Sequence, residues 1–195
     1  MDVGEIAESK GDSPRSRWIG VYVGLLAALL AVCTLGGDNA AKDATRANIE
    51  ATNLWGFFQA KNIRRTAYTI AADDLELMAR ANPGMPPEAR AAIEEKVKAY
   101  RDTVARYSTD KASNEGLDEL FAKGKEIERE RDRALARDPY FDAAQALLQI
   151  AIVLASVALI TEANLLVWLS VGMAAVGTAL MVNGFTLLVK LPFFG

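Results

Sequence analysis

Few side chains in this sequence could make or break a bond. Histidine is absent from the 195 residues, and the single cysteine, Cys33, lies inside an uncharged apolar run. Without histidine the chain lacks the side chain best suited to moving protons near neutral pH. No disulfide can form within the chain, and no zinc site of the Cys/His type can be assembled. The densest carboxylate cluster is Asp73-Asp74-Leu75-Glu76. One helical turn of carboxylates supplies neither a nucleophile with its base nor ligands converging from elsewhere, so the cluster reads as a solvated helix face. The expectation is no catalytic residue, no metal and no cofactor.

The chemistry on offer is recognition. Trp55, Phe57, Phe58, Lys61, Arg64 and Arg65 form an aromatic and basic patch. Aromatic anchors beside cations suit packing against a neighbouring helix or a sister subunit. They equally suit docking of a partner protein, or of anionic lipid if the chain folds back at Gly36-Gly37. Nucleic acid is not expected. Residues 38–142 hold 18 Lys plus Arg against 20 Asp plus Glu, with both signs interspersed, whereas phosphate tracking needs clustered positive charge.

Three uncharged apolar stretches, 18–35, 143–160 and 165–189, set the frame for these residues. At ~1.5 Å per residue the shortest reach ~27 Å, close to the ~30 Å of bilayer hydrocarbon. Lipid offers no hydrogen bonds, so each span must be helical. The first could be a secretion signal, but its apolar run exceeds a usual signal core and its cleavage signals are poor, which favours an uncleaved anchor. The expected fold is an all-α membrane protein, with three transmembrane helices and a long helical insert between the first and second.

Within the insert the apolar spacing is helical. Ile93, Val97, Tyr100, Val104 and Tyr107 make an a/d seam, and Leu117, Leu120, Gly124, Ile127, Arg131 and Ala134 make another in a different phase. The slip falls at Ser113-Asn114-Glu115-Gly116, where helix propensity is poor. Ala44, Ala47, Ala51, Leu54 and Phe58 form an outgoing seam that includes Phe58 but leaves Trp55 and Phe57 outside it. No helix can cross Asn82-Pro83-Gly84-Met85-Pro86-Pro87. A chain that leaves the membrane and must return to it needs an even number of long passes. The expectation is a two-armed, coiled-coil-like hairpin over 38–138 that turns near 82–87.

Both roots carry signals. Gly36-Gly37 could hinge the first span or sit as a tolerated helical pair, and Asp138-Pro139 marks a helix start. Trp18, Tyr22, Tyr140 and Phe141 fall where an interfacial aromatic belt belongs. Thr161-Glu162-Ala163-Asn164 joins the last two spans as a tight turn. With the insert inside, basic residues near span ends divide 8 in the cytoplasm against 3 outside, so the insert is placed on the cytoplasmic side.

Asn53-Leu54-Trp55-Gly56-Phe57-Phe58-Gln59-Ala60-Lys61, Asp138-Pro139-Tyr140-Phe141 and the segment from Leu147 to Ser156 resemble an uncharacterised family of bacterial membrane proteins, domain-of-unknown-function family 4337. The resemblance runs from Trp18 to Phe185. It implies one span, a helical insert and a terminal membrane hairpin in a bacterial inner membrane, and it supplies no activity. Where members usually carry tyrosines before Gln-Ala-Lys, this chain has Phe57-Phe58, which removes a hydroxyl-dependent role there.

The spans look built to pack. Gly20, Gly24 and Ala28 repeat a small residue every fourth position, as do Ser170, Ala174 and Thr178. No ionisable group marks an ion or proton path within them. The expected function is a self-associating, membrane-anchored helical scaffold or accessory subunit that presents a partner-binding surface without catalysis. The alternative is a small oligomeric channel or transport-associated protein. The expected partners are a second copy of the chain, membrane lipid and a protein docked on the insert.

Overall fold

The structure is a computed structural model and describes residues 14–191. The described residues are almost wholly helical, with no strand: α1 (Pro14–Ala81), α2 (Pro87–Ser108), α3 (Leu117–Leu135), α4 (Asp138–Thr161) and α5 (Asn164–Thr186). Three of the helical segments are long and apolar enough to cross a membrane. The chain divides into two compact units: the described residues up to Thr45 together with those from Asp132 onward, and Arg46–Arg131.

In the first unit, α4 and α5 pair through two matching stripes. Ala144, Leu148, Ala151, Ala155 and Ala158 are buried on α4, and Ser170, Ala174, Gly177, Met181 and Gly184 on α5. Both stripes step by four and three residues, the rhythm of helices that interlock side by side. Leu26, Cys33 and Ala40 of α1 join this core beside Phe141. Small residues dominate both stripes, which lets the backbones approach closely and brings hydroxyls within reach of the facing helix. One hydrogen-bonded chain is present: the Tyr22 hydroxyl lies 3.1 Å from Ser170 Oγ, which donates to the Ala151 carbonyl at 2.7 Å.

Gly36-Gly37 does not hinge. α1 runs through both glycines as continuous helix, and a Cβ added at Gly36 would come within 2.5 Å of the Phe141 ring and 2.8 Å of the Phe185 ring. Those two rings stack edge to face, with centroids 4.9 Å apart. The pair is a packing notch for aromatics. α5 also stops earlier than the apolar run suggests, at Thr186, with Leu187 left-handed at φ 50°. Asn183 holds that end by accepting from the Val189 amide at 2.9 Å and donating to the Val189 carbonyl at 2.8 Å.

In the second unit, the 46–81 part of α1 meets α2 and α3 in antiparallel order. Asp73 and Glu76 face Arg101, Tyr68 faces Tyr100 and Tyr107, and Trp55 faces Phe121 and Glu128. The turn at Asn82 forms as its prolines require: Asn82 Nδ2 caps the Met78 carbonyl at 2.9 Å, and Pro87 opens α2. Between α2 and α3 the helix breaks, with Asn114 left-handed at φ 59°. Asp110 accepts from the Ser113 amide at 3.1 Å, while Glu119 accepts from the Asp110 amide at 3.2 Å. Side chains that compete for backbone donors account for the break. The α3 seam is buried as its spacing predicts, at Leu117, Leu120, Gly124 and Ile127.

Candidate functional site

The aromatic and basic patch of α1 is divided by the fold. Trp55, expected outside the inner seam, packs within it. Its indole Nε1 donates to Glu128 Oε1 at 3.0 Å, and its ring stands edge-on to Phe58 and Phe121 at 5.5 and 5.7 Å. Gly124 makes room for it, since a Cβ there would lie 2.7 Å from Trp55 Cζ2. The heptad pattern ranked Trp55 as an outsider because it follows Leu54 by one residue. A large indole nonetheless reaches sideways into the space that Gly124 leaves. The glycine on the facing helix was the signal that could have found it.

Lys61 is equally occupied. Its ammonium donates to the Glu115 carbonyl, lies 3.8 Å from the Glu115 carboxylate, and sits 5.6 Å from the centroids of both Phe57 and Tyr107. Its side chain is only 12% exposed. It ties α1 to the break before α3. Phe58 joins the Trp55 cluster, so Phe57 is the aromatic of the patch left at the surface, 45% exposed. Arg64 and Arg65 follow on α1, Arg64 exposed and Arg65 half-buried.

Arg64 opens onto a groove. Together with Ala67, Tyr68, Ala71, Tyr100 and Tyr107 it lines a cavity of about 570 Å³. The Tyr68 ring packs at a tilt against Tyr100 and edge-on against Tyr107, with centroids 5.3 and 5.9 Å apart. Below them Arg101 donates to Glu76 at 3.0 Å and to Asp73 at 2.5 Å. Those bonds push the guanidinium above its ordinary pKa, Glu76 contributing more than Asp73. The acidic cluster therefore serves as an ion-pair anchor for α2, a role hidden in the sequence because Arg101 lies 25 residues beyond Glu76. At the other end Glu128 is held below the usual carboxylate range, first by Lys125 at 2.8 Å and then by the Trp55 indole.

The small-residue stripes separate in the same way. Ser170 and Ala174 are buried against α4, but the buried stripe continues through Gly177 and not through Thr178. The Thr178 hydroxyl turns back to the Ala174 carbonyl at 2.7 Å. Gly20, Gly24 and Ala28 lie on the exposed side of α1, with nothing within 4 Å of a Cβ added at either glycine. Among the described residues, nothing packs against the two glycines of that stripe.

These features define an all-helical protein with three segments long and apolar enough to cross a membrane, and charged helices joined by aromatic and ion-pair contacts. Residues 15–187 match the family model described as a domain of unknown function, DUF4337, and the chain belongs to that family. No curated protein and no solved structure matches it.

Proposed function

We propose that the protein is a self-associating, membrane-anchored helical scaffold or accessory subunit. In this reading the three apolar helices span a bacterial inner membrane, and 38–138 forms a helical hairpin in the cytoplasm that presents a partner-binding surface. The observation that carries the reading is that most hydroxyls of the apolar helices are bonded within the protein. Tyr22 and Ser170 bond to each other, and Ser170, Thr178 and Ser156 bond to backbone carbonyls. A conducting path needs polar groups facing an aqueous lumen, whereas an anchor needs them satisfied internally. On the insert, the groove at Arg64 and the exposed Phe57 ring supply the aromatic and cationic contacts typical of binding hot spots.

The test is purification in mild detergent, with mass determination and identification of stoichiometric companions. An oligomer, with or without a fixed second protein, is the expected result. A monomer without a companion across several detergents would sink the proposal.

A further inference from the structure

The large apolar side chains that α1 leaves exposed between 49 and 77 are not scattered. Ile49, Ile63, Ile70 and Leu77 are 54 to 66% exposed, and they stand seven or fourteen residues apart. Gly56 fills the skipped position. Alongside run Asn53, Ala60, Ala67 and Asp74, four residues after Ile49, Gly56, Ile63 and Ile70. The two rows form the a and d positions of a heptad repeat, with Asn53, Ala60, Ala67 and Asp74 at a. At 3.6 residues per turn this stripe faces away from Ala47, Ala51, Leu54 and Phe58, which pack toward α3 or line the inner seam. Thus α1 carries two seams on opposite sides; α2 and α3 cover the inner one, and of the outer rows Ala67 borders the Arg64 groove beside Tyr100 and Tyr107.

We infer that the outer seam of α1 from Ile49 to Leu77 pairs with the same seam of a second copy of this chain, parallel and in register. This rests on the self-association proposed above and names its surface. A strict seven-residue spacing drifts by ~20° per heptad on a straight helix, so only a supercoiled helical partner meets every layer. A bilayer surface has no register to match. The flanks also lack the basic rim of a lipid-binding face: Glu50 and Asp73 offset Arg64 and Arg80, and Thr52, Gln59, Thr66 and Ala71 are uncharged. The hydroxyls of Thr52 and Thr66 are spent on the Asn48 and Asn62 carbonyls of their own helix.

Polar layers and area both favour a second copy. Lys61, Asp73 and Glu76 are engaged on the inner side, by Glu115 and Arg101. In a parallel symmetric pair Asn53 meets Asn53, a polar layer known to fix register, and Gln59 faces Arg64 of the other copy. Asp74 is the one layer of like charge. Ile49, Phe57, Ile63, Ile70, Leu77 and Met78 are each about half exposed. At on the order of 100 Å² apiece they come to roughly 600 Å², approaching the ~800 Å² per partner of a standard interface once the smaller residues are added.

The test uses the full chain with Cys33→Ala. Ile63→Cys and Ile70→Cys should each give an oxidised dimer, while Asn48→Cys, exposed but off the seam, should not. Without added cysteines, the Ile63→Glu, Ile70→Glu double variant should weaken dimerisation at least tenfold, and Asp74→Leu should strengthen it. Should the glutamates disturb helicity, the cysteine variants decide. An oligomer that survives the glutamates and gives no cross-link at 63 or 70 would overturn this seam while leaving self-association standing. A wild type that is monomeric would overturn both.

Discussion

At the scale of single residues, the sequence hid partners more than it hid positions. Phe58 was legible as a seam residue, but the partners of Trp55, Lys61, Asp73 and Glu76 were not, because they lie far along the chain. Trp55 and Glu128 illustrate what such pairing does to charge. Glu128 titrates below its ordinary value because the Lys125 ammonium and the Trp55 indole both favour the carboxylate. A carboxylate whose folded pKa is depressed contributes stability that is complete above the unfolded value of ~4.3. That contribution is lost as pH falls through the lower, folded value. The detergent-solubilised protein should therefore lose melting temperature below about pH 4, and Glu128→Gln should flatten that loss while lowering stability at pH 7. Equal acid slopes for the two proteins would remove Glu128 from the account.

Elements were read more fully than contacts. Helical spacing found the buried seam of α3, while the seam residues of α2 are only half-buried, and the proline cluster found the turn, because periodicity and backbone restriction act locally. The break between α2 and α3 was visible as weak propensity at Ser113-Asn114-Glu115-Gly116, though it begins earlier, at Thr109, where the backbone turns extended. The early end of α5 was not legible. Hydropathy continues past Thr186, and the stop comes from Asn183 clasping Val189. Gly36-Gly37 was ambiguous, since a glycine pair can loosen a helix or admit a neighbour. The structure selects the second: α1 approaches Phe141 of α4 and Phe185 of α5 there. Gly36→Val should then force apart three helices and cost about 1–3 kcal/mol, the usual range for overpacking. Gly24→Ala meets open space and should leave monomer stability nearly unchanged. Thermal unfolding of both variants, followed by helicity, separates the cases. If Gly36→Val melts with the wild type, the notch is misread.

For the whole molecule, the charge pattern bears on which side of a membrane the 38–138 segment occupies. Basic residues retained near span ends favour the cytoplasm, because translocating them is disfavoured. Lys42, Arg46, Lys125, Arg129, Arg131, Arg133, Arg137 and Lys190 would stay inside under the proposed orientation, against Lys10, Arg15 and Arg17 outside. Lys10 lies outside the described residues, but Arg15 has a structural occupation: its guanidinium donates to the Glu162 carbonyl at 2.9 Å, at the turn between α4 and α5. That contact satisfies a carbonyl at the end of α4 and gives Arg15 a role besides topology, which weakens its vote as an orientation signal. A single-cysteine reporter at Ser113 decides the matter. Ser113 is exposed in the turn between α2 and α3, so its reactivity reports sidedness and not burial. With Cys33→Ala in the background, Ser113→Cys should resist a membrane-impermeant thiol reagent in intact cells and react fully once the cells are permeabilised. Ready labelling in intact cells would put the segment outside and reverse the orientation, while the pairing of its helices would stand unchanged.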